Sequence, residues 1–541
     1  MRTIMRRTGL FLCKAPCVEG RYLDVERLAG DFVDSVEVVD VLENMHLPDS
    51  RGLIVERVRD RRLEAVILAG CSPEHYEGTL GGGEIVGELE LAGINPNLVG
   101  FVNLREQCSL PHLHEPAAQV LAKAKALTQV ALADVQAREP SVLVEVPPRK
   151  SVLVVGDGIA AVSAAYRLLK AGFRVTVAGL SESWDWPAEA DEHLRMAASA
   201  VARDPRCSLH FSTEARRVTG WAGDYRVSLS TGDQQRVEHC AGIIVAVDRK
   251  FQSYVQLWPF LRVDTDTDGA PRARNRHTLS VRSTTEGIAL VGAGDGGADV
   301  VDRIRQQSMD GAVAALEMLE LLNRPAIVHE VKVSHVDAEH CGMCRTCTKV
   351  CAFSACSIDE LAGTSKVDEY LCKGCGNCVV ACPAGARDLV AEPTENLTRA
   401  IEILANCATN GAPKVLAMLC SGCAYRAADQ AGIQGFGYPV SIMPLKVTCG
   451  GRVDMQHVLE AFQFGFSGVI LGCCRTGHCH NIVGHLYLDR RVVLFREVLR
   501  SRGIDPDRLQ IMDISPHEGE QCATTFSDFV GSLRDAMTGG R

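Results

Sequence analysis

The stretch SVLVVGDGIAAVSAAYRLLKAGFRVTVAG, from Ser151 to Gly179, decides the fold class of this 541-residue chain. An apolar run, a glycine turn, a helical pattern and a second apolar run follow one another, as in the first unit of a Rossmann-type fold. In the turn, Gly156 makes the bend, Gly158 lets the backbone approach a pyrophosphate, and Ala161 lets the helix pack on the strand. The sequence therefore predicts a dinucleotide-binding domain, which we assign to residues 150–330.

One residue expected in such a domain is missing. An acidic side chain should end the second strand and bind the adenosine ribose, but Gly179 stands there. Glu182 or a water molecule would have to substitute for it. The alternative is a Rossmann domain kept as an empty scaffold.

A second glycine-rich stretch, GIALVGAGDGGAD, begins at Gly287. In flavoproteins with two dinucleotide sites, a strand that ends in Gly-Asp supplies an aspartate to the flavin, so we predict that Asp295 and Gly296 contact FAD. The interval between Asp248 and Glu286 is too short for a separate nicotinamide domain. FAD without its own hydride donor is therefore the predicted cofactor.

The cysteines on the C-terminal side of this domain follow a spacing typical of iron–sulfur proteins. The runs CGMCRTCTKVC and CKGCGNCVVACP lie within residues 331–392, which we predict to be a two-cluster ferredoxin domain. A CxxCxxC loop wraps one cubane, and the fourth cysteine of each run serves the other cluster. The predicted ligands are Cys341, Cys344, Cys347 and Cys382 for one [4Fe–4S] cluster and Cys372, Cys375, Cys378 and Cys351 for the other. For the doubled motif as a whole, zinc sites or free thiols are the alternatives. Cys356 lies outside the pattern and is interpreted as a packed thiol.

Small α/β domains are predicted on both sides, over residues 1–145 and 393–541, because short apolar runs alternate there with helical patterns. Cysteines follow the strands of both domains, and loops beyond strand ends converge at one edge of an α/β sheet. In the last domain these cysteines are Cys420, Cys423, Cys449, Cys473, Cys474 and Cys479. Six exceed what one cluster uses, since a [2Fe–2S] centre needs four. In the first domain Cys13, Cys17, Cys71 and Cys108 are four possible ligands for a third [4Fe–4S] cluster.

Composition excludes several functions. The net charge of −10 is spread along the chain without a basic cluster, which argues against a nucleic-acid partner. No segment approaches the roughly 20 continuous apolar residues of a membrane span. The 23 cysteines gather in CxxC groups, which suits metal binding in a reducing compartment, so we expect a cytoplasmic location.

These motifs together resemble a known family. GCSPEH, NLREQCS, the glycine turn and the doubled ferredoxin block resemble the flavin-binding A-type subunits of heterodisulfide reductases, and CSGC, CGGRVD and CRTGHCH resemble the delta subunit of methyl-viologen-reducing hydrogenase. The resemblance implies a fusion of the two, with a [2Fe–2S] cluster on four of Cys420, Cys423, Cys449, Cys474 and Cys479, and Cys473 extra. Where the family's N-terminal domain has a cysteine this chain has ENMHLP, so either His46 replaces a ligand or Cys17 serves.

The resemblance also implies a function. We expect an electron-transfer subunit that takes electrons at its C-terminal domain and relays them through [4Fe–4S] clusters and FAD to partner subunits. Those partners would resemble the B and C subunits of heterodisulfide reductase, with a hydrogenase or dehydrogenase as donor. The alternatives are a flavin-free iron–sulfur wire, a self-contained NAD(P)H-dependent flavin oxidoreductase, and a zinc-bearing interaction protein.

Overall fold

The computed structural model describes residues 6–19, 23–77, 83–187, 192–246, 261, 281, 283, 285–291, 300–331, 333–369, 371–409 and 411–539. The chain is a mixed α/β protein and divides into two compact units. One contains residues 1–142, 330–479 and 483–541, and the other contains residues 143–329 and 480–482. Among the helices in these described ranges, none combines the length and the apolar character that crossing a bilayer requires.

The N-terminal part of the first unit is a four-stranded parallel sheet with strand order β2-β1-β3-β4. Its strands are β1 (Thr8–Cys13), β2 (Val38–Leu42), β3 (Ala65–Gly70) and β4 (Val99–Asn103). Its helices are α1 (Pro16–Glu19), α2 (Val25–Gly30), α3 (Pro48–Arg61), α4 (Pro73–Glu77), α5 (Gly83–Leu91) and α6 (Ala117–Ala137), with a π-helical turn at Arg105–Ser109. Every residue of β1 and β3 is buried, as expected for central strands covered on both faces.

The second unit contains a five-stranded parallel sheet in the order β13-β12-β6-β7-β8, which is the arrangement of a Rossmann fold. Its strands are β5 (Val142–Val146), β6 (Ser151–Val155), β7 (Arg174–Ala178), β8 (Cys207–His210), β9 (Glu214–Trp221), β10 (Asp224–Thr231), β11 (Gln234–Cys240), β12 (Gly242–Ala246), β13 (Ile288–Val291) and β14 (Ile327–Val331). Strands β9–β11 form an antiparallel sheet, and β5 pairs with β14. The helices are α7 (Ile159–Lys170), α8 (Glu192–Arg203) and α9 (Val300–Asn323). The sequence predicted α9 only over residues 312–322, because the apolar pattern is clear only in its buried C-terminal half.

The cysteine-rich block consists of two small antiparallel ladders. Strand β15 (Ser334–Val336) pairs with β18 (Arg387–Leu389), and β16 (Cys356–Asp359) pairs with β17 (Thr364–Val367). One short helix follows each cysteine loop, α10 (Thr346–Val350) and α11 (Asn377–Val380). So small a domain has little apolar core of its own, and buried cysteines occupy its centre.

The C-terminal part is a second four-stranded parallel sheet in the order β20-β19-β21-β22. Its strands are β19 (Val415–Cys420), β20 (Ile442–Val447), β21 (Gly468–Cys474) and β22 (Leu509–Ile514). Its helices are α12 (Thr394–Ala405), α13 (Ala424–Ile433), α14 (Met455–Gln463), α15 (Gly484–Ser501) and α16 (Gly519–Gly539), with short 3-10 turns at Gly450–Arg452 and Pro506–Arg508. Parallel strands bring their carboxyl ends to one edge, and the cysteines follow these ends.

Candidate functional site

The two ferredoxin-type loops share one backbone pattern. The third and fifth residues of each loop have positive φ angles: Met343 (50°) and Arg345 (62°) in the first, Gly374 (62°) and Gly376 (75°) in the second. A left-handed conformation costs a residue other than glycine about 1–3 kcal/mol, so the first loop holds this shape against strain. The repeated geometry supports the prediction that both CxxCxxC runs wrap a cluster in the same way.

The thiols predicted to hold the second cubane come together in the structure. Cys351, from the first run, interacts electrostatically with Cys372 and Cys375, as the crossed ligand assignment requires. Burial raises the pKa of the Cys375 thiol to about 12, an environment that favours a neutral thiol when no metal is bound. In the first set, Ser365 links two sulfurs: its amide donates to Cys341 Sγ (3.4 Å) and its hydroxyl lies 3.3 Å from Cys347 Sγ.

A backbone hydrogen bond fixes the position of Cys382. It follows α11, and its amide donates to the Val379 carbonyl at 3.1 Å. Its role as the fourth ligand of the first cubane stays a prediction.

Cys356, which the spacing left outside the ligand set, lies beside the second set. Its thiol hydrogen-bonds to Cys351 and Cys378, lowering the pKa of both and raising its own. The residue starts β16, and this strand directs it into the buried group of cysteines. The signal for this placement is tertiary, since no spacing rule marks Cys356.

We therefore expect Cys351 and Cys356 to be interchangeable as the fourth ligand of the second cubane. Cys351→Ser should retain the second cubane because the Cys356 thiol can replace the lost ligand, whereas Cys351→Ser with Cys356→Ser should lose about four iron atoms per chain. Iron and acid-labile sulfide analysis of anaerobically purified protein checks this. Equal iron loss in the single and double variants would contradict it, and Cys356→Ser alone is the control.

A buried arginine lies between the two sets of thiols. Arg387 is 5% exposed, and its guanidinium donates to Ser365 Oγ and to Cys378 Sγ (3.9 Å). A fixed positive charge at this place offsets thiolate charge, which is the means by which surrounding residues tune a cluster's potential. The motif spacing did not single out this residue.

Five thiols of the C-terminal domain meet at the carboxyl edge of its sheet. Cys420 Sγ lies 3.8 Å from Cys474 Sγ, and hydrogen bonds connect Cys474 with Cys423 and Cys479, and Cys479 with Cys449. We call Cys420, Cys423, Cys449, Cys474 and Cys479 the five-thiol site. Each of these residues is buried.

The sixth cysteine points elsewhere. Successive strand residues face opposite sides of a sheet, and Cys473 packs into an apolar cluster with residues such as Leu488.

Sequence reasoning also missed His485, a buried residue of α15. Hydrogen bonding to Cys479 raises the pKa of this histidine. The sequence NIVGHLYL gives no metal-binding spacing that would have pointed to His485.

The second ferredoxin loop packs on the loop after β20. A Cβ atom at Gly376 would lie 2.4 Å from Arg452 Cδ, and one at Gly451 would lie 1.9 Å from Asn377 Oδ1. Cys375 also interacts electrostatically with Cys449 of the five-thiol site. The glycines thus allow the backbones of the two cysteine-bearing loops to approach each other closely.

In the N-terminal domain, Tyr76 marks the meeting place of two predicted ligands. Its hydroxyl accepts from the Cys71 amide at 3.0 Å, and a Cβ atom at Gly70 would lie 2.4 Å from that hydroxyl and 3.0 Å from Cys13 Cβ. The ring of His46 stacks on Tyr76 with centroids 5.2 Å apart. Cys13, Cys71 and His46 therefore surround one tyrosine.

The remaining N-terminal cysteines are placed differently. Cys108 lies beside the fully buried Lys123 and beside Cys407, and burial raises the pKa of Cys108 to about 12. The side chain of Cys17 lies outside the described part of the chain. A third cluster on Cys13, Cys17, Cys71 and Cys108 stays a prediction.

The glycine turn has the shape that a dinucleotide requires. Gly156 follows β6 with φ of 134°, and a Cβ atom there would lie 2.0 Å from the Ala246 carbonyl oxygen of β12. This is the point where the strand order reverses, the usual ligand crevice of such sheets. Gly158 is the N-cap residue of α7, and Ala161 in the first turn of the helix is fully buried. The residues fit the pyrophosphate of FAD, while Asp295 and Gly296 lie outside the described residues.

Comparisons with known proteins identify two regions. Residues 415–536 match the family described as methyl-viologen-reducing hydrogenase, delta subunit, and residues 365–388 match the 4Fe-4S binding domain. The iron-sulfur D subunit of the F420-non-reducing hydrogenase of Archaeoglobus profundus is 35% identical over 122 residues, which cover 23% of this chain and 89% of that relative.

A second relative matches a larger part of the chain. The A subunit of the ferredoxin:CoB-CoM heterodisulfide reductase of Methanosarcina mazei is 32% identical over 256 residues, covering 47% of this chain. The alignment spans about a third (31%) of that relative's length. Both matches confirm the predicted fusion. The chain therefore belongs, through residues 415–536, to the family of methyl-viologen-reducing hydrogenase delta subunits, and joins this domain to a part similar to the A subunit of heterodisulfide reductase.

Proposed function

We propose that this chain is an electron-transfer subunit of a heterodisulfide-reductase-like complex, in which the five-thiol site exchanges electrons with the ferredoxin domain. A [2Fe–2S] cluster, two [4Fe–4S] clusters and FAD would supply the one- and two-electron chemistry. A donor such as a hydrogenase or dehydrogenase would act at the C-terminal domain, and B- and C-like subunits would accept electrons.

The packing of Gly376 on Arg452 carries this proposal. Direct contact between the loop of Cys375 and the loop of Cys449 leaves no intervening layer of protein at this point. Arg452 is 1% exposed, and its guanidinium donates to the Glu392 carbonyl (3.0 Å) and to Thr394 Oγ1 (2.8 Å). The aliphatic part of the arginine thus contacts the second ferredoxin loop, and the bonds of its guanidinium hold that contact in a fixed geometry.

Removing the second ferredoxin site tests the relay. Cys375→Ser with Cys378→Ser should strongly slow bleaching of the flavin when the anaerobic full-length protein is mixed with reduced methyl viologen, because the five-thiol site then loses the acceptor on the loop that it contacts. Stopped-flow absorbance measures this rate. Cys207→Ser is the matched control, since this half-buried cysteine of β8 belongs to none of the predicted sites.

Two results would contradict the proposal. If the double variant bleaches the flavin at the rate of the unchanged protein, electrons do not pass through the second ferredoxin loop. If the unchanged protein contains full iron and sulfide but no FAD, the flavin-free wire is the better description.

A further inference from the structure

The missing ribose-binding acid has a structural counterpart inside the glycine turn. Strand β7 ends at Ala178, and Gly179 follows where a Rossmann unit has its acidic side chain. A Cβ atom built on Gly179 would lie 2.6 Å from Asp157 Cβ and 2.9 Å from Asp157 Oδ2. The side chain of Asp157 therefore fills the space into which an acid at position 179 would extend.

The backbone does not require glycine at this position. Gly179 does not have a positive φ, so its backbone conformation is open to any residue. The crowding by Asp157 is the physical reason why glycine fits at this position. Asp157 and Gly179 are complementary: the carboxylate is at the second position of the GDG turn, and the end of the strand, where the acid usually stands, has no side chain. With Asp157 in the turn, an acidic side chain at position 179 would clash with its carboxylate.

The carboxylate of Asp157 is held firmly. Its Oδ2 accepts from the Ser181 amide at 2.7 Å, and its carbonyl oxygen accepts from the Asp185 amide at 2.8 Å. The residue is 5% exposed. A carboxylate offers about four acceptor positions, so a group fixed by one amide can accept further hydrogen bonds from vicinal hydroxyls.

We propose that Asp157 binds the ribose hydroxyls of the adenosine diphosphate half of a dinucleotide, in place of the acid absent at Gly179. The inference rests on the proposed function for the identity of the dinucleotide as FAD. A carboxylate at this place repels a 2′-phosphate, so the ligand class is a dinucleotide with an unphosphorylated adenosine ribose. FAD and NAD⁺ share this half, and binding measurements with each distinguish them.

The experiment exchanges the two positions in the full-length protein. After removal of bound flavin, FAD affinity is measured by fluorescence quenching for Asp157→Asn, Gly179→Glu, and Asp157→Gly combined with Gly179→Glu. Asp157→Asn should weaken FAD binding about 10- to 100-fold, because it replaces a charged acceptor by an amide of the same shape. Gly179→Glu alone should lose FAD through the clash with Asp157, and the exchanged pair should recover most of the affinity.

Glu182→Gln tests the competing candidate, the exposed acid three residues beyond Gly179 that the sequence offers as a substitute, and it should leave FAD affinity unchanged if Asp157 binds the ribose. Thermal unfolding and iron content establish that each variant is folded. Unchanged FAD affinity in Asp157→Asn, or a loss in Glu182→Gln instead, would overturn the assignment. Tighter binding of NAD⁺ than of FAD by the unchanged protein would keep the ribose contact of Asp157 and overturn FAD as its ligand. Absence of binding by either dinucleotide in the unchanged protein would overturn both this inference and the flavin part of the proposed function.

Discussion

Gly484→Ala is expected to prevent binding of the [2Fe–2S] cluster that we propose for the five-thiol site, with a loss of about two iron atoms per chain. A Cβ atom at position 484 would lie 2.3 Å from Cys449 Sγ and 3.5 Å from Cys479 Sγ. The first distance is far below van der Waals contact, and both sulfurs are buried, so neither has free space to move into. Iron and sulfide per chain, together with the EPR spectrum of the reduced protein, measure the effect.

The helix itself gives no reason for glycine at this position. Gly484 is the first residue of α15 and does not have a positive φ, so its backbone conformation is open to alanine. Gly531→Ala in α16 is the matched control, because a Cβ atom built there meets no atom of the described chain within 4 Å beyond its own helix turn. Full iron in Gly484→Ala would show that Cys449 and Cys479 do not both serve the cluster.

Arg452→Met should have the second large effect, a destabilisation of about 3–5 kcal/mol, because it leaves the largely buried Glu392 carboxylate without its cation. The guanidinium lies 3.3 Å from Asp388 Oδ1 and 3.6 Å from Glu392 Oε2. Methionine keeps most of the apolar stem and lacks the guanidinium, so the change removes the charge and its hydrogen bonds while the stem can still pack. Urea unfolding of the anaerobic protein measures the loss, and slower flavin bleaching should accompany it if the contact with Gly376 loosens.

A surface ion pair of the same domain is the control for Arg452. Arg475 pairs with Glu518, but its side chain is 41% exposed, so Arg475→Met should cost at most about 1 kcal/mol. Combining Arg452→Met with Glu392→Gln should recover part of the stability, because the unpaired carboxylate is then gone. Equal destabilisation by Arg452→Met and Arg475→Met would contradict a buried role for Arg452.

The Arg452 variant should also respond to pH. Burial raises the pKa of Glu392, and Arg452 opposes that rise. Without Arg452 the pKa of Glu392 increases further, so folding favours its protonated form. The variant should therefore be closest to normal stability below the ordinary pKa of glutamate and lose stability as pH rises through the elevated folded-state pKa.

Several features could be predicted from local patterns alone. The GDGIAA turn between two apolar runs predicted the βαβ unit, and the structure forms β6, α7 and β7 there. The doubled CxxCxxC spacing predicted two equivalent loops, and their positive φ angles recur at matching positions. These features depend on a few neighbouring residues, so the sequence contains them directly.

Tertiary structure decided which distant residues meet. The sequence by itself determined the α/β fold class, the ferredoxin loops and the candidate thiols, because strand, turn and cluster-loop signals are local in the chain. Only the fold separated Cys473 from the five-thiol site, brought Cys356 to Cys378, and placed Asp157 against Gly179. These placements depend on strand direction, sheet order and packing between residues far apart in the chain, which no local spacing specifies.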